Sequence, residues 1–406
     1  MADALPDTHD YARWKTALSG SRLPAAVVDM DAFDRNLKQL LDGLEGTPLT
    51  LRVATKSIRC TGLLRHIIEQ GGPRIRGLMT WSAHECAMLA ELGFDDMVCA
   101  YPVGRRDEAE VFARLAAEGR YVVAMVDDPH HVRLLAEAAQ HAKVEIPLCI
   151  DLDVSWRPGA DLHFGVRRSP VRDSEQVRVL AQAVAASDGV RLDGLMAYEA
   201  QVAGLQDRTR GSRLLDPVRA VIKSRSKPLA ADRRGAAVAT LKEDGFNLGF
   251  VNGGGTGSLR STAKDPSVTE ITVGSGFLCP HLFDGYPDLD LVPAAFFALG
   301  VVRSSDPDHV TCAGGGYIAS GKAGADRSAR VHAPAGIQPL EHEGFGEVQT
   351  PFLVTGHIRP DVGDPVLCRH AKAGELMERF DEILLVRGDE IVSRMPTYRG
   401  LGGTFF

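Results

Sequence analysis

Lys56 ends the apolar run LRVATKS, and a lysine amine there can attack an aldehyde once it is partly desolvated. Read locally, the plainer alternative is a solvated lysine leaving a strand. Much later, FVNGGGTGS (250–258) follows another apolar run. Gly254, Gly255 and their neighbours permit positive φ and close approach of backbone N–H groups to an anion. Thr256 and Ser258 add hydroxyl donors. No Lys-Ser/Thr pair follows these glycines and the six-residue dinucleotide fingerprint is missing, so neither a Walker loop nor a Rossmann turn is indicated. The next apolar run ends in GSG (274–276), which contributes Gly274 and Ser275. Two glycine-rich turns at successive strand ends read as a phosphate site.

Other polar residues stand where strands end. Arg157 lies in IDLDVSWRPG, shortly before HFGVR, where a guanidinium can bind a phenolate or carboxylate, or simply face water. GLMAYEAQ places Tyr198, Glu199 and Gln201 at a further strand end. Near the C-terminus, CRHAKAGELMERFDE holds Arg369, His370, Lys372 and Glu375. That stretch reads as a solvated turn, or as a divalent-metal site built on His370 with a nearby carboxylate such as Glu375. The final MPTYRGLGGTFF is glycine-rich and aromatic, suited to packing over a site or a subunit interface.

The elements that must position these residues follow from periodicity. Short apolar runs alternate with amphipathic stretches between about residues 25 and 276, starting with AAVVDM and a helix bearing Phe33, Leu37, Leu40, Leu41 and Leu44 on one face. Ser82 and Glu85 form a capping-box pattern opening a helix over 83–92, with Gly93 ending it. Near-continuous apolar strands alternating with helices predict a parallel sheet, here an α/β fold of the (β/α)8 TIM-barrel type. The runs exceed eight by one, so 25–30 is expected outside a barrel beginning near 49. After about 280, Pro and Gly become frequent and short β-like runs replace helical periodicity. The expected organisation is a barrel unit at 25–285 and an all-β unit at 286–406, completed by residues 1–30. The Arg/Ala-rich segment 203–245 reads as either helical or mobile.

Composition narrows the partners. The 406 residues carry a net charge of -7 without long basic blocks, which argues against nucleic acid or an anionic membrane and favours a small molecule. The seven cysteines show no CxxC spacing, and Cys99 and Cys149 fall inside apolar runs, the pattern of reduced thiols in a cytoplasmic protein. Neither a signal peptide nor a membrane-length apolar run is apparent.

In order along the chain, VDMDAFDRN, the lysine of LRVATKS, MTWSAHECAMLAELG, the ID-D-WR loop, AYEAQ, NGGGTGS and GSG resemble the fold-type III pyridoxal phosphate enzymes. The chain is most similar to their D-threonine aldolase and D-serine dehydratase-like branch, the amino acid deaminase/aldolase group. The resemblance implies pyridoxal 5′-phosphate as a Schiff base on Lys56, Arg157 near the ring oxygen and Tyr198 near the ring. It implies a phosphate cradle of Gly254, Gly255, Thr256, Gly274 and Ser275, and a homodimer. The implied activity is carbon–carbon or carbon–oxygen lysis of a β-hydroxy-α-amino acid, with D configuration open. A racemase using Tyr317 or Tyr398 as second base, and a cofactor-binding protein without turnover, are the alternatives. Two departures stand out: His370-Ala371-Lys372 replaces the branch's His-x-Cys or His-x-Asp metal pair, so that Glu375 substitutes after a shift, Lys372 supplies the positive charge or the metal is absent; and Gly276 replaces a tyrosine after the second turn.

Overall fold

The computed structural model describes residues 8–159, 161–208, 213–322 and 324–405. Residues 1–7, part of the segment expected to complete the β unit, lie outside them. The first apolar run forms β1 (Ala25–Asp29). Eight further strands close a parallel barrel: β2 (Thr50–Ala54), β3 (Ile75–Thr80), β4 (Met97–Cys99), β5 (Val122–Val126), β6 (Ile146–Asp151), β7 (Val190–Ala197), β8 (Phe250–Gly253) and β9 (Glu270–Val273). Closure comes from β2 pairing with β9, where Val53 stands opposite Val273. Most barrel-strand residues are buried, as expected for strands with a packed interior and helices outside.

The surplus run belongs to the other sheet. β1 pairs antiparallel with β10 (Ala295–Asp306) and parallel with the strand Glu382–Arg387, inside a nine-stranded sheet. The chain then returns to the barrel at once. Asp29 caps the helix Met30–Asp42 by accepting from the amides of Asp31 and Ala32, at 3.0 and 3.1 Å. That helix buries Phe33, Leu37 and Leu40, and its buried Asn36 donates to Phe277 and Val292 carbonyls while accepting from the Val292 amide. One helix therefore ties barrel and β sheet together.

The barrel strands carry both an apolar cluster and a buried ionic group. Met79, Val98, Met125, Cys149, Met196 and Phe250 pack as one apolar cluster. Arg52, fully buried, forks onto Glu270 at 2.7 and 2.9 Å and reaches Asp96 at 2.8 Å. A buried guanidinium requires such paired, hydrogen-bonded carboxylates.

One local expectation needs adjustment. Ser82 caps the helix Ala83–Glu91 by accepting from the Glu85 amide, but the Glu85 carboxyl accepts from the Trp81 amide rather than closing a reciprocal box. Gly93, at φ +83° just past the C-cap Leu92, ends the helix as expected. The undecided segment contains the 28-residue helix Asp216–Glu243, while residues 209–212 lie outside the described part. All seven cysteines are buried and free. Among the described residues, no helix is long and apolar enough to cross a membrane.

Candidate active site

At the C-terminal end of β2 the chain makes a single 3-10 turn, Thr55–Ser57, which presents Lys56 to a cavity of about 810 Å³. Its flanks are fixed. Thr55 Oγ1 donates to the Met79 carbonyl at 3.0 Å, and Arg59 Nε donates to the Lys56 carbonyl at 3.1 Å. From the β unit, Gly374 presses on the same backbone: a Cβ there would fall 2.1 Å from the Lys56 oxygen. The Lys56 side chain is exposed rather than desolvated as the sequence suggested, and it lines the cavity, where its amine is accessible to a bound carbonyl group.

The two glycine turns meet on the same wall. Gly254, at φ +72°, has no room for a side chain, since a Cβ would sit 2.9 Å from Ile271. Glu199, buried behind the loop, accepts from the Gly254 amide at 3.0 Å, from Ser258 Oγ at 3.0 Å and from Thr262 Oγ1. It also pairs with buried Arg234 at 2.9 Å. The second turn is linked to the first, because the Gly276 amide donates to Thr256 Oγ1 at 3.2 Å. A Cβ at Gly276 would lie 2.7 Å from Thr256, which explains why no larger residue follows this turn. Ser275 Oγ lies 3.3 Å from Ser57 Oγ, beside Lys56. Thr256 and Ser275 each open a helical turn, so their amides lack intrahelical acceptors.

Lys56, Tyr198, Gly254, Gly255, Thr256, Gly274 and Ser275 all line this one cavity. The Tyr198 phenol is pushed up to about 12 by burial and then by Glu199, so it is a neutral donor at physiological pH. Arg157 is placed elsewhere. Its guanidinium donates to Asp153 at 2.7 Å and Ser155 at 3.2 Å, within a loop folded back by the Trp156–Phe164 bridge. Arg168 from the same loop does line the wall, oriented by Asp151 at 2.7 Å and the Ala100 carbonyl at 3.1 Å. Burial raises Asp151 to about 6, with Arg168 opposing the shift.

Neither tyrosine suggested as a second base reaches the cavity. Tyr317 packs edge-on against Phe297 and Phe380, and Tyr398 is fully buried against Trp81 and Glu85. His370 is likewise buried behind the wall. Its Nδ1 lies 3.0 Å from the Lys372 amide and 2.6 Å from the Lys372 carbonyl oxygen. Glu375 does line the cavity, but accepts from the Ser320 amide and hydroxyl at 2.7 and 2.9 Å. Among the described residues, no three His, Cys, Asp or Glu side chains converge as a metal site.

Several contributors escaped sequence reading. Arg168 sits five residues past His163 in a loop without periodicity, and Arg234 lies in the segment whose composition did not decide between helix and loop. Ser320 and Arg327 come from the β unit and meet the barrel only in three dimensions, whereas Lys372 is already legible beside His370.

Residues 28–251 match the model of the alanine racemase N-terminal domain. The chain belongs to that family. Among similar proteins, 3-hydroxy-D-aspartate aldolase from Paracoccus denitrificans (strain Pd 1222) is 25% identical over 252 residues, 62% of this chain and 59% of that protein. D-threonine aldolase from Arthrobacter sp. is also 25% identical over 252 residues, 62% of this chain and 60% of the relative. The matched segment thus spans about three fifths of both relatives. The D-threonine aldolase structure from Filomicrobium marinum superposes with a TM-score of 0.76 at 21% identity, covering 93% of this chain and 95% of that one. D-threo-3-hydroxyaspartate dehydratase from Delftia sp. HT23 follows at 0.70 and 16% identity, covering 94% and 98%. These two likenesses show a shared barrel-plus-β fold.

Proposed function

We propose that this protein is a pyridoxal 5′-phosphate-dependent lyase acting on a β-hydroxy-α-amino acid of D configuration. One observation carries the reading: Lys56 and both glycine turns, more than 190 residues apart in sequence, line one cavity. Relatives named for D-threonine and 3-hydroxy-D-aspartate cleavage support the substrate class.

The residues fit the cofactor. The cavity falls within the usual range of small-ligand sites. The amides and hydroxyls of Thr256 and Ser275 would hold the phosphate, and Cβ atoms at Gly254, Gly255 or Gly274 would collide with their surroundings. When bound, pyridoxal phosphate supplies an electron sink for bond cleavage next to an amine. Lys56 Nζ holds the cofactor and, when released, accepts or returns a proton at that atom. Tyr198 donates its phenol hydrogen towards the bound group. Arg168 faces it with a fixed guanidinium, and the β unit covers the opening and limits water. A metal at His370 does not fit this donor set: the His370 ring stands behind the wall, Glu375 already serves Ser320, and the next cavity group is an ammonium.

The reading extends to a cytoplasmic homodimer, with the barrel unit at 25–285 and the β unit at 286–406. Seven free thiols favour a reducing compartment, and the dimer rests on the resemblance alone. The test is direct. Borohydride reduction of the cofactor-loaded protein, followed by peptide mapping, is expected to place the added mass on Lys56. Lys56→Ala should carry none and release no aldehyde from D-threonine or D-3-hydroxyaspartate. An adduct retained in that variant, or cleavage of only the L isomers, refutes the corresponding part of the proposal.

A further inference from the structure

Lys372 reaches the cavity from the β unit. Its ammonium donates to the Ser320 carbonyl at 2.8 Å and the Ser320 hydroxyl at 2.9 Å. Glu375, 4.0 Å from the same nitrogen, is itself held by the Ser320 amide and hydroxyl. The three side chains fix one another, and an ammonium has three donors, of which Ser320 takes two. The segment that carries Lys372 also carries Gly374, packed directly on the Lys56 carbonyl, so the two lysines share one compartment.

Four charged side chains line this wall, and each carboxylate already faces a cation: Asp326 lies 3.7 Å from Arg327 Nε and Glu375 lies 4.0 Å from the Lys372 ammonium. A divalent cation placed here would find both carboxylates matched and the Lys372 ammonium at short range, which is unfavourable inside a protein. What the wall does suit is an electron-rich oxygen, such as the hydroxyl of a substrate or the alkoxide character it gains as its bond is broken.

We propose that Lys372, pinned by Ser320 and Glu375, is the resident cation that binds the substrate's β-oxygen, and that this protein holds that oxygen without a divalent metal. The inference rests on the lyase reading but concerns a different group. Lys56 carries the cofactor, and Lys372 recognises the substituent two carbons from the substrate carboxylate.

Two amine-free acids isolate this contact. D-glycerate and D-lactate differ only in the β-hydroxyl, and neither can exchange with the Lys56 amine. Calorimetric titration of the cofactor-loaded protein is expected to show D-glycerate binding about tenfold more tightly. The preference should be unchanged after dialysis against EDTA and lost in Lys372→Met. Ser320→Ala, which removes the hydroxyl contact of the ammonium but keeps its charge and its bond to the Ser320 carbonyl, should reduce it partway and provides a second variant should the first fold poorly. A preference absent from the parent protein, or surviving in both variants, overturns the proposal. So does a preference abolished by EDTA and restored by Mn²⁺, since the metal would then hold the oxygen. Borohydride mapping of Lys56 is independent of these titrations, so failure of this inference is distinguishable from failure of the lyase reading.

Discussion

Tyr198 is set by its surroundings to do one job over a wide pH range. Burial and the adjacent Glu199 hold its phenol at about 12, so it stays protonated wherever the protein is expected to work. Removing the hydroxyl should therefore cost a donor, not a base. Tyr198→Phe is expected to keep the cofactor on Lys56 while turnover falls about 100-fold, measured as kcat alongside the cofactor content. The pH–rate profile between 7 and 9 should keep its shape, because this phenol does not titrate there. A profile that changes shape in the variant would assign Tyr198 a proton-transfer role. Arg157 gives the opposite lesson at this scale. A strand-end arginine with the right chemistry is captured by Asp153, and Arg168 occupies the wall in its place.

The glycine turn is an element that does not hold its own shape. Its amides and hydroxyls converge on Glu199, and Glu199 in turn meets Arg234 from the long helix Asp216–Glu243. Arg234 also pairs with Asp265 and donates to the Ala197 carbonyl at 2.8 Å, so it joins β7, the glycine loop and the approach to β9. Removing the Glu199 charge leaves a buried guanidinium short of a partner. Glu199→Gln should lower stability by about 3 kcal/mol, read from denaturant midpoints. It should also speed cofactor loss on dialysis. Wild-type retention with lowered stability would mean that the network supports the fold but not the phosphate turn.

At the scale of the whole molecule, the C-terminal tail closes over the barrel. Tyr398 stacks on Trp81 at 5.9 Å between ring centres, Phe405 meets both rings edge-on, and the Tyr398 hydroxyl donates to Glu85 at 3.2 Å. Burial raises the Glu85 carboxyl to about 8, partly opposed by its hydrogen bonds and by Arg59. A carboxyl raised in the folded state stays protonated there while the unfolded chain has already ionised. Its contribution is therefore fully present below the ordinary glutamate range and is lost as pH rises through about 8. Glu85→Gln should melt close to the parent near pH 4.5 and, by pH 8, about 2 °C or more above it, followed by scanning fluorimetry. A difference that does not vary with pH would show that Glu85 is not the titrating group.

The barrel, the separate strand-rich region and the excess strand were legible because they follow from local properties. Apolar runs of strand length, helical faces and glycine-dense turns are written in consecutive residues, and they mark Lys56, Tyr198 and the two glycine turns as strand-end candidates, to which the family resemblance alone attached cofactor roles. What lay beyond the sequence depends on contacts between distant segments. Arg234 looked like one arginine among many in a stretch of weak periodicity, and became an anchor only when its helix packed behind β8. Lys372 shares a compartment with Lys56 because the β unit folds onto the barrel mouth, which no local pattern encodes. The residue types set which chemistry was possible; tertiary packing decided which of them share the cavity, since both burial and charge pairing depend on what lies across space.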